Sequence, residues 1–184
     1  MTARLAPAVP PFGASIQAAL ERTMPPGVPP LALFTTLARD ERLFTKLFAG
    51  GLVDRGNLTL RQREIVIDRT TALCGAEYEW GVHVAFFAKR VELSEAQLHS
   101  LVHGGAEDAC WSAADRLLIR LCDELHATCT VADPLWGDLK KEHSDGALLE
   151  LVMLAGQYRM ISYLANALKL PPESFAARFP ARTA

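Results

Sequence analysis

The stretch "EYEWGVHV" sets Glu79 and His83 four residues apart, so on a helix both side chains stand on one face. An acid beside an imidazole fixes the ring's tautomer and raises its pKa, which suits a general acid or base near neutral pH. Around the pair run Tyr78, Trp80, Val82, Val84, Ala85, Phe86 and Phe87, so the helix is expected to have little wet surface. A carboxylate taken out of water there needs a partner or changes its protonation state. The plain alternative is a core couple in which Glu79 and His83 satisfy each other. Glu77, in the first turn, is explained by the helix dipole alone.

Other polar groups sit on apolar helices. Glu64 adjoins the run Ile65, Val66, Ile67, where the ordinary expectation is a surface salt bridge with Arg61 three residues earlier. Tyr158, Ser162 and Asn166 follow at four-residue steps, either bonding helix to helix or lining the same cavity as His83. Asp123 and His126 form a weaker pair near a helix end, a place that suits a histidine through the dipole, and no chemistry is assigned to them. Cysteines stand at Cys74, Cys110, Cys122 and Cys129 without a CxxC pair or a zinc spacing, so free and mostly buried thiols are expected. Cys74, just ahead of the Glu/His helix, is the one expected to be a reactive thiol, because a helix N-terminus lowers a thiol pKa. Glu64, Glu79 and His83 could offer three ligands to a metal, but no fourth is evident, and no metal site is expected.

These residues need elements to hold them. Helical apolar spacing covers "LALFTTLARDERLFTKLFAGG" through Leu33, Leu37, Leu43, Leu47 and Phe48, with Gly50 and Gly51 as the stop. Thr59 with Gln62 and Ser94 with Gln97 read as capping boxes, and Ser112 with Asp115 opens a helix through His126. Asp133 and Pro134 read as N-cap and N1, and a long apolar helix follows Asp145-Gly146 until Pro171-Pro172. A helix near Ser15 to Thr23 precedes the breaker "MPPGVPP". No segment alternates with period two for long enough to argue a strand. The expectation is all-α with seven to nine helices: an N-terminal arm with a short helix (1–29), a helical domain (30–172) and a C-terminal tail (173–184).

Composition excludes several function classes. Of 184 residues, 50% are hydrophobic and 22% charged, which fits one globular domain and not a disordered chain. A net charge of −2 gives no footprint for nucleic acid or an anionic membrane. No apolar run reaches the roughly 18 residues that span a bilayer. The opening "MTARLAPAVPPFG" is proline-rich and lacks the apolar core of a signal peptide, so a cytoplasmic location is expected.

Taken together, "REIVIDRTTALCGAEYEWGVHV", "WSAADRLLIRLCDELH" and "GQYRMISYLANAL" resemble the carboxymuconolactone decarboxylase family, of the alkylhydroperoxidase D-like (AhpD-like) superfamily, over roughly residues 30 to 170. The resemblance implies an AhpD-like helical fold, a homo-oligomer (dimer, trimer or hexamer) and a small-molecule substrate, a carboxylated enol-lactone or related cyclic acid, with no metal or organic cofactor. It places the peroxidase branch's two redox cysteines at Ala76 and Glu79, where this chain has none, and its relay glutamate and histidine at Glu64 and His83. Peroxide reduction by that route needs an attacking and a resolving thiol. What the resemblance implies is therefore a lyase or isomerase: His83 as acid set by Glu79, Glu64 orienting it, and Tyr78 and Trp80 shaping a pocket that Tyr158 and Asn166 also line. Arg63, Arg69 or Arg159 would hold a substrate carboxylate. Two alternatives stay open, a thiol peroxidase using Cys74 and a non-catalytic helical oligomer that binds a ligand or partner.

Overall fold

A computed structural model of the chain describes residues 3–52 and 54–182. Among the described residues there are nine helices and no strand: α1 Ala14–Thr23, α2 Ala32–Leu37, α3 Glu41–Ala49, α4 Leu60–Leu73, α5 Glu77–Phe87, α6 Glu95–His103, α7 Ala113–Thr128, α8 Asp133–Glu142 and α9 Asp145–Leu168. The hub is α4. Ile65, Val66 and Ile67 have no exposed surface at all, because α5, α6, α7 and α9 close around this helix from different sides. A helix enclosed from several sides must also find partners for its buried charges, and Glu64 and Arg69 find theirs on α5 and α7.

Side-chain caps fix where helices start. Thr59 and Ser94 form complete capping boxes with Gln62 and Gln97, and Ser112 and Ser144 accept from the backbone N–H groups of Asp115 and Ala147. Each such cap contributes about 1 kcal/mol. The continuous apolar spacing expected from Leu33 to Phe48 is instead broken into α2 and α3, because Asp40 caps a new helix by accepting from Leu43 N–H. The break rotates the second half, so Phe44 is buried and Leu43 is exposed. The helix expected to open at Asp133 has Ala132 as its N-cap, one residue earlier.

The turn between α4 and α5 positions the Glu/His residues. Gly75 has φ +62°, a left-handed conformation that strains an L side chain. Gly75 N–H bonds Ala72 O (2.9 Å) and Ala76 N–H bonds Thr71 O (2.8 Å), the paired closure that ends a helix and reverses the chain. Cys74 therefore sits at the carbonyl end of α4 and not at the N-terminus of the Glu/His helix, which corrects the expectation drawn from its position in the sequence. The reversed chain brings α5 back along α4.

The tail after Leu170 is extended and lies across α5. Ala177 N–H bonds Gly81 O at 3.0 Å, and Phe179 meets Trp80 edge-on at 5.1 Å between centroids. A Cβ on Gly81 would overlap Ala177 O, which accounts for the glycine inside "EWGVH". Glu173 accepts from Ala32 N–H and from Tyr78 O–H, both at 2.6 Å, while Glu77 pairs with Arg178 (3.0 Å) and accepts from Phe179 N–H (2.9 Å). Glu77 is thus an anchor for the tail as well as a first-turn acid.

Candidate active site

Three helices converge on His83. From α4, Glu64 Oε2 lies 2.9 Å from His83 Nδ1; from the preceding turn of α5, Glu79 Oε1 lies 3.5 Å from Nε2. From α9, Tyr158 presents its ring edge-on to the imidazole, 5.0 Å between centroids at 88°. All four side chains are buried, with Glu64, Glu79 and His83 at 3%, 5% and 6% exposure. The surface pair expected between Arg61 and Glu64 is not made. Arg61 reaches Asp115 at 3.0 Å instead, because Glu64 faces inward toward α5.

Burial alone would push the imidazole toward its neutral form. Hydrogen bonds and charge from Glu64 and Glu79 act more strongly in the other direction, and the His83 pKa is raised to about 10. The ring is therefore an imidazolium at neutral pH, a proton donor held on both sides. Glu64 gripping Nδ1 at ordinary hydrogen-bond distance fixes its orientation. Glu79 grips more loosely, and its second oxygen, Oε2, is buried without a partner. Nε2 is the nitrogen whose bond is easiest to exchange.

Asp68, one turn beyond Glu64 on α4, was not foreseen as part of this cluster. It is 1% exposed and neither carboxyl oxygen has a hydrogen-bond partner. Burial, followed by the nearby charge of Glu64, raises its pKa well above the ordinary value. Tyr158 is likewise held as the neutral phenol by burial and then by Glu79, Glu64 and Asp68. The available signal for Asp68 was its four-residue spacing from Glu64, set against the apolar run 65–67.

The other candidate residues lie elsewhere. Tyr78 is committed to the tail, donating to Glu173 and accepting from Leu33 N–H at 3.0 Å. Trp80 is 1% exposed against Phe179, with its indole N–H unpartnered. Asn166 is exposed and donates to Cys74 O (2.9 Å), and Ser162 turns its hydroxyl to Tyr158 O (2.7 Å). Of the arginines considered for a substrate carboxylate, Arg69 is buried against Asp123 (2.7 Å) and the carbonyls of Leu101 and Gly104. Arg63 donates to Asp54 O. Arg159 donates to the Tyr163 hydroxyl (2.8 Å) and His126 O (3.2 Å), both neutral.

Only Cys122 of the four thiols is fully buried; Cys74 and Cys110 are half-buried and Cys129 is exposed, against the expectation of mostly buried cysteines. Cys74 Sγ lies 4.0 Å from His126 Nδ1. A cavity of about 220 Å³ lies between α4, α7 and α9 and another of about 350 Å³ between α7 and α8, and neither of these two is lined by Glu64, Glu79 or His83. No group of three or more His, Cys, Asp or Glu side chains among the described residues has the geometry to hold a metal ion.

Comparison with known proteins identifies the fold. The chain is similar in structure to an uncharacterized peroxidase-related protein from Silicibacter sp. TM1040, with TM-score 0.81, 16% identity, and 97% of this chain and 96% of that one covered. It is similar also to an alkylhydroperoxidase AhpD core protein, peroxidase-related, from Ralstonia eutropha JMP134 (TM-score 0.78, 16% identity, 89% and 87% covered). A third similar structure is a single-residue variant of the debrominase Bmp8 in complex with 2,3,4-tribromopyrrole (TM-score 0.76, 12% identity, 95% and 94% covered). No match was found among curated protein sequences. Residues 41–120 match the carboxymuconolactone decarboxylase family, a span that holds Glu64, Asp68, Glu79 and His83. The chain thus has the helical fold of these structures, and the family match falls on its segment from α3 to the first half of α7.

Proposed function

We propose that the protein is a cofactor-independent lyase or isomerase acting on a small carboxylated lactone or related cyclic acid. The observation that carries this reading is the His83 imidazolium clamped between two carboxylates. Loss of carbon dioxide from a carboxylated enol-lactone breaks a C–C bond and leaves its electron pair delocalised into the lactone carbonyl. The enolate-like product then takes a proton at carbon. His83 Nε2–H supplies that proton as Glu79 gives way, Glu64 keeps the ring oriented, and water returns a proton to the imidazole. The test is carbon dioxide release from a carboxylated enol-lactone. His83→Gln should lose on the order of a hundredfold in rate, and an unchanged rate rejects the role.

The same reading includes a homo-oligomer. Leu149, Met153, Met160 and Tyr163 leave an apolar stripe exposed along α9, on which a second copy of the chain would pack. Sedimentation of the purified protein checks it, a monomer being the contrary result. No helix among the described residues is long and apolar enough to cross a membrane.

A second reading is favoured by a specific observation: both ring nitrogens are occupied, and the cavities of about 220 Å³ and 350 Å³ do not reach them. On it, the cluster is a structural network in a non-catalytic helical protein. His83→Gln would then lower stability with no activity to lose on any carboxylated lactone.

A further inference from the structure

The cavity of about 220 Å³ between α4, α7 and α9 stands apart from the His83 cluster and has the makings of a binding site. One wall is apolar, formed by Leu125, Val152 and Ala155. An engineered apolar cavity of roughly 150 Å³ holds benzene, so this one has room for a single ring with a substituent. Its polar side is made by Arg159 and His126. Arg159 is half-buried, and its hydrogen bonds go to a tyrosine hydroxyl and a carbonyl, so no carboxylate answers its charge. His126 Nδ1 lies 3.5 Å from the guanidinium Nη1. Burial and then Arg159 lower the His126 pKa, so the ring is neutral and adds no second positive charge.

An independent observation comes from the floor. Thr70, on α4, is 6% exposed, and its buried hydroxyl has no nitrogen or oxygen partner, only the Cys122 sulfur on the facing helix. That thiol is itself directed to Val66 O at 3.8 Å. Sulfur is a weak hydrogen-bond partner, so a ligand oxygen in the cavity would bond the hydroxyl better. A guanidinium without a carboxylate, a weakly bonded hydroxyl and an apolar wall of ring size thus face one space.

We infer that this cavity binds a small ring-bearing monocarboxylate, with the carboxylate on the Arg159 guanidinium and the ring against Leu125, Val152 and Ala155. Arg159 is the residue of choice for such an anion, since its planar fork matches a carboxylate. The inference does not depend on His83 being catalytic.

Benzoate is the probe and benzamide its uncharged counterpart, titrated into the full chain by calorimetry. Iodoacetamide labelling read out by mass spectrometry gives a second measure, because exposed Cys129 lines the cavity and a bound ring shields it. Benzoate should bind saturably and slow alkylation at Cys129. Arg159→Gln, or benzamide in place of benzoate, should weaken binding roughly tenfold or more, while His83→Gln leaves it intact. Val152→Trp, which fills the cavity with Arg159 in place, should abolish binding, and it decides the matter if Arg159→Gln fails to fold. Absence of saturable binding, equal affinity for benzamide, or full binding by Val152→Trp overturns the assignment. So does loss of binding in His83→Gln with Arg159→Gln unaffected, which would put the ligand at the His83 cluster.

Discussion

His83 and His126 are the same residue in two sheltered places, and they are driven in opposite directions. His83 is flanked by Glu64 and Glu79, which overcome the effect of burial and keep the ring charged. His126 is flanked by Arg159, which adds to the effect of burial and keeps the ring neutral. The first cluster turns its charges on itself inside the core. The second leaves a guanidinium facing a cavity with only neutral partners. What a histidine can do is thus set by the charges that the neighbouring helices bring to it.

The largest effect that would break this comparison is on stability. His83→Leu leaves two carboxylates buried without their cation, and removal of one partner of a buried ion group costs about 3–5 kcal/mol. Urea denaturation at neutral pH should show a loss of that order. The pH dependence follows with its sign. Because the folded pKa of His83 lies above the ordinary 6.5, its stabilising contribution is complete below about 6.5 and disappears as pH rises through about 10. Wild type should weaken across that window, and His83→Leu should show a flatter profile there.

A smaller effect is expected at the tail. Gly81→Ala forces a methyl against Ala177 O and should cost roughly 1–3 kcal/mol. It should also raise the protease sensitivity of residues after Pro172. A tail cleaved no faster than in wild type would show that the strap adjusts without releasing α5.

The smallest effect runs the other way. Asp68 has a raised pKa, so its burial destabilises the fold increasingly above the ordinary carboxylate pKa as the unfolded chain ionises and the folded one resists. Asp68→Asn removes that cost and should raise stability by about 1 kcal/mol at neutral pH. The gain should fade on acidification, as thermal melts at pH 7 and pH 4 would show. A loss of stability instead would mean that Asp68 is ionised and serves the His83 imidazolium as a third carboxylate.

The chain shows which parts of such a site a sequence can disclose. Glu79 and His83 were legible because one helical turn joins them, and Glu64 through the resemblance that matched its spacing from His83. The helices announced themselves by Thr59, Ser94 and Ser112, whose side chains act on backbone within three residues. Where two local signals competed, the pattern misled. The leucine spacing from Leu33 to Leu47 ran across the break that the Asp40 cap imposes. Cys74 looked like a neighbour of α5, but the Gly75 reversal leaves it at the end of α4, where Asn166 bonds its carbonyl. The meeting of Cys74, His126 and Arg159 from three helices has no periodic trace, since it depends on how α4, α7 and α9 cross. The tail is equally silent, as Glu173 and Glu77 anchor it by single contacts rather than by a repeat.

The most direct test of the central claim is a ¹⁵N NMR titration of the imidazole nitrogens of His83 in the intact protein, with His126 as internal contrast. The account predicts that His83 carries protons on both nitrogens at pH 7 and loses one only near pH 10, while His126 titrates below 6.5. A His83 ring that is neutral at pH 7 would contradict it, and with it the role of His83 as the proton donor.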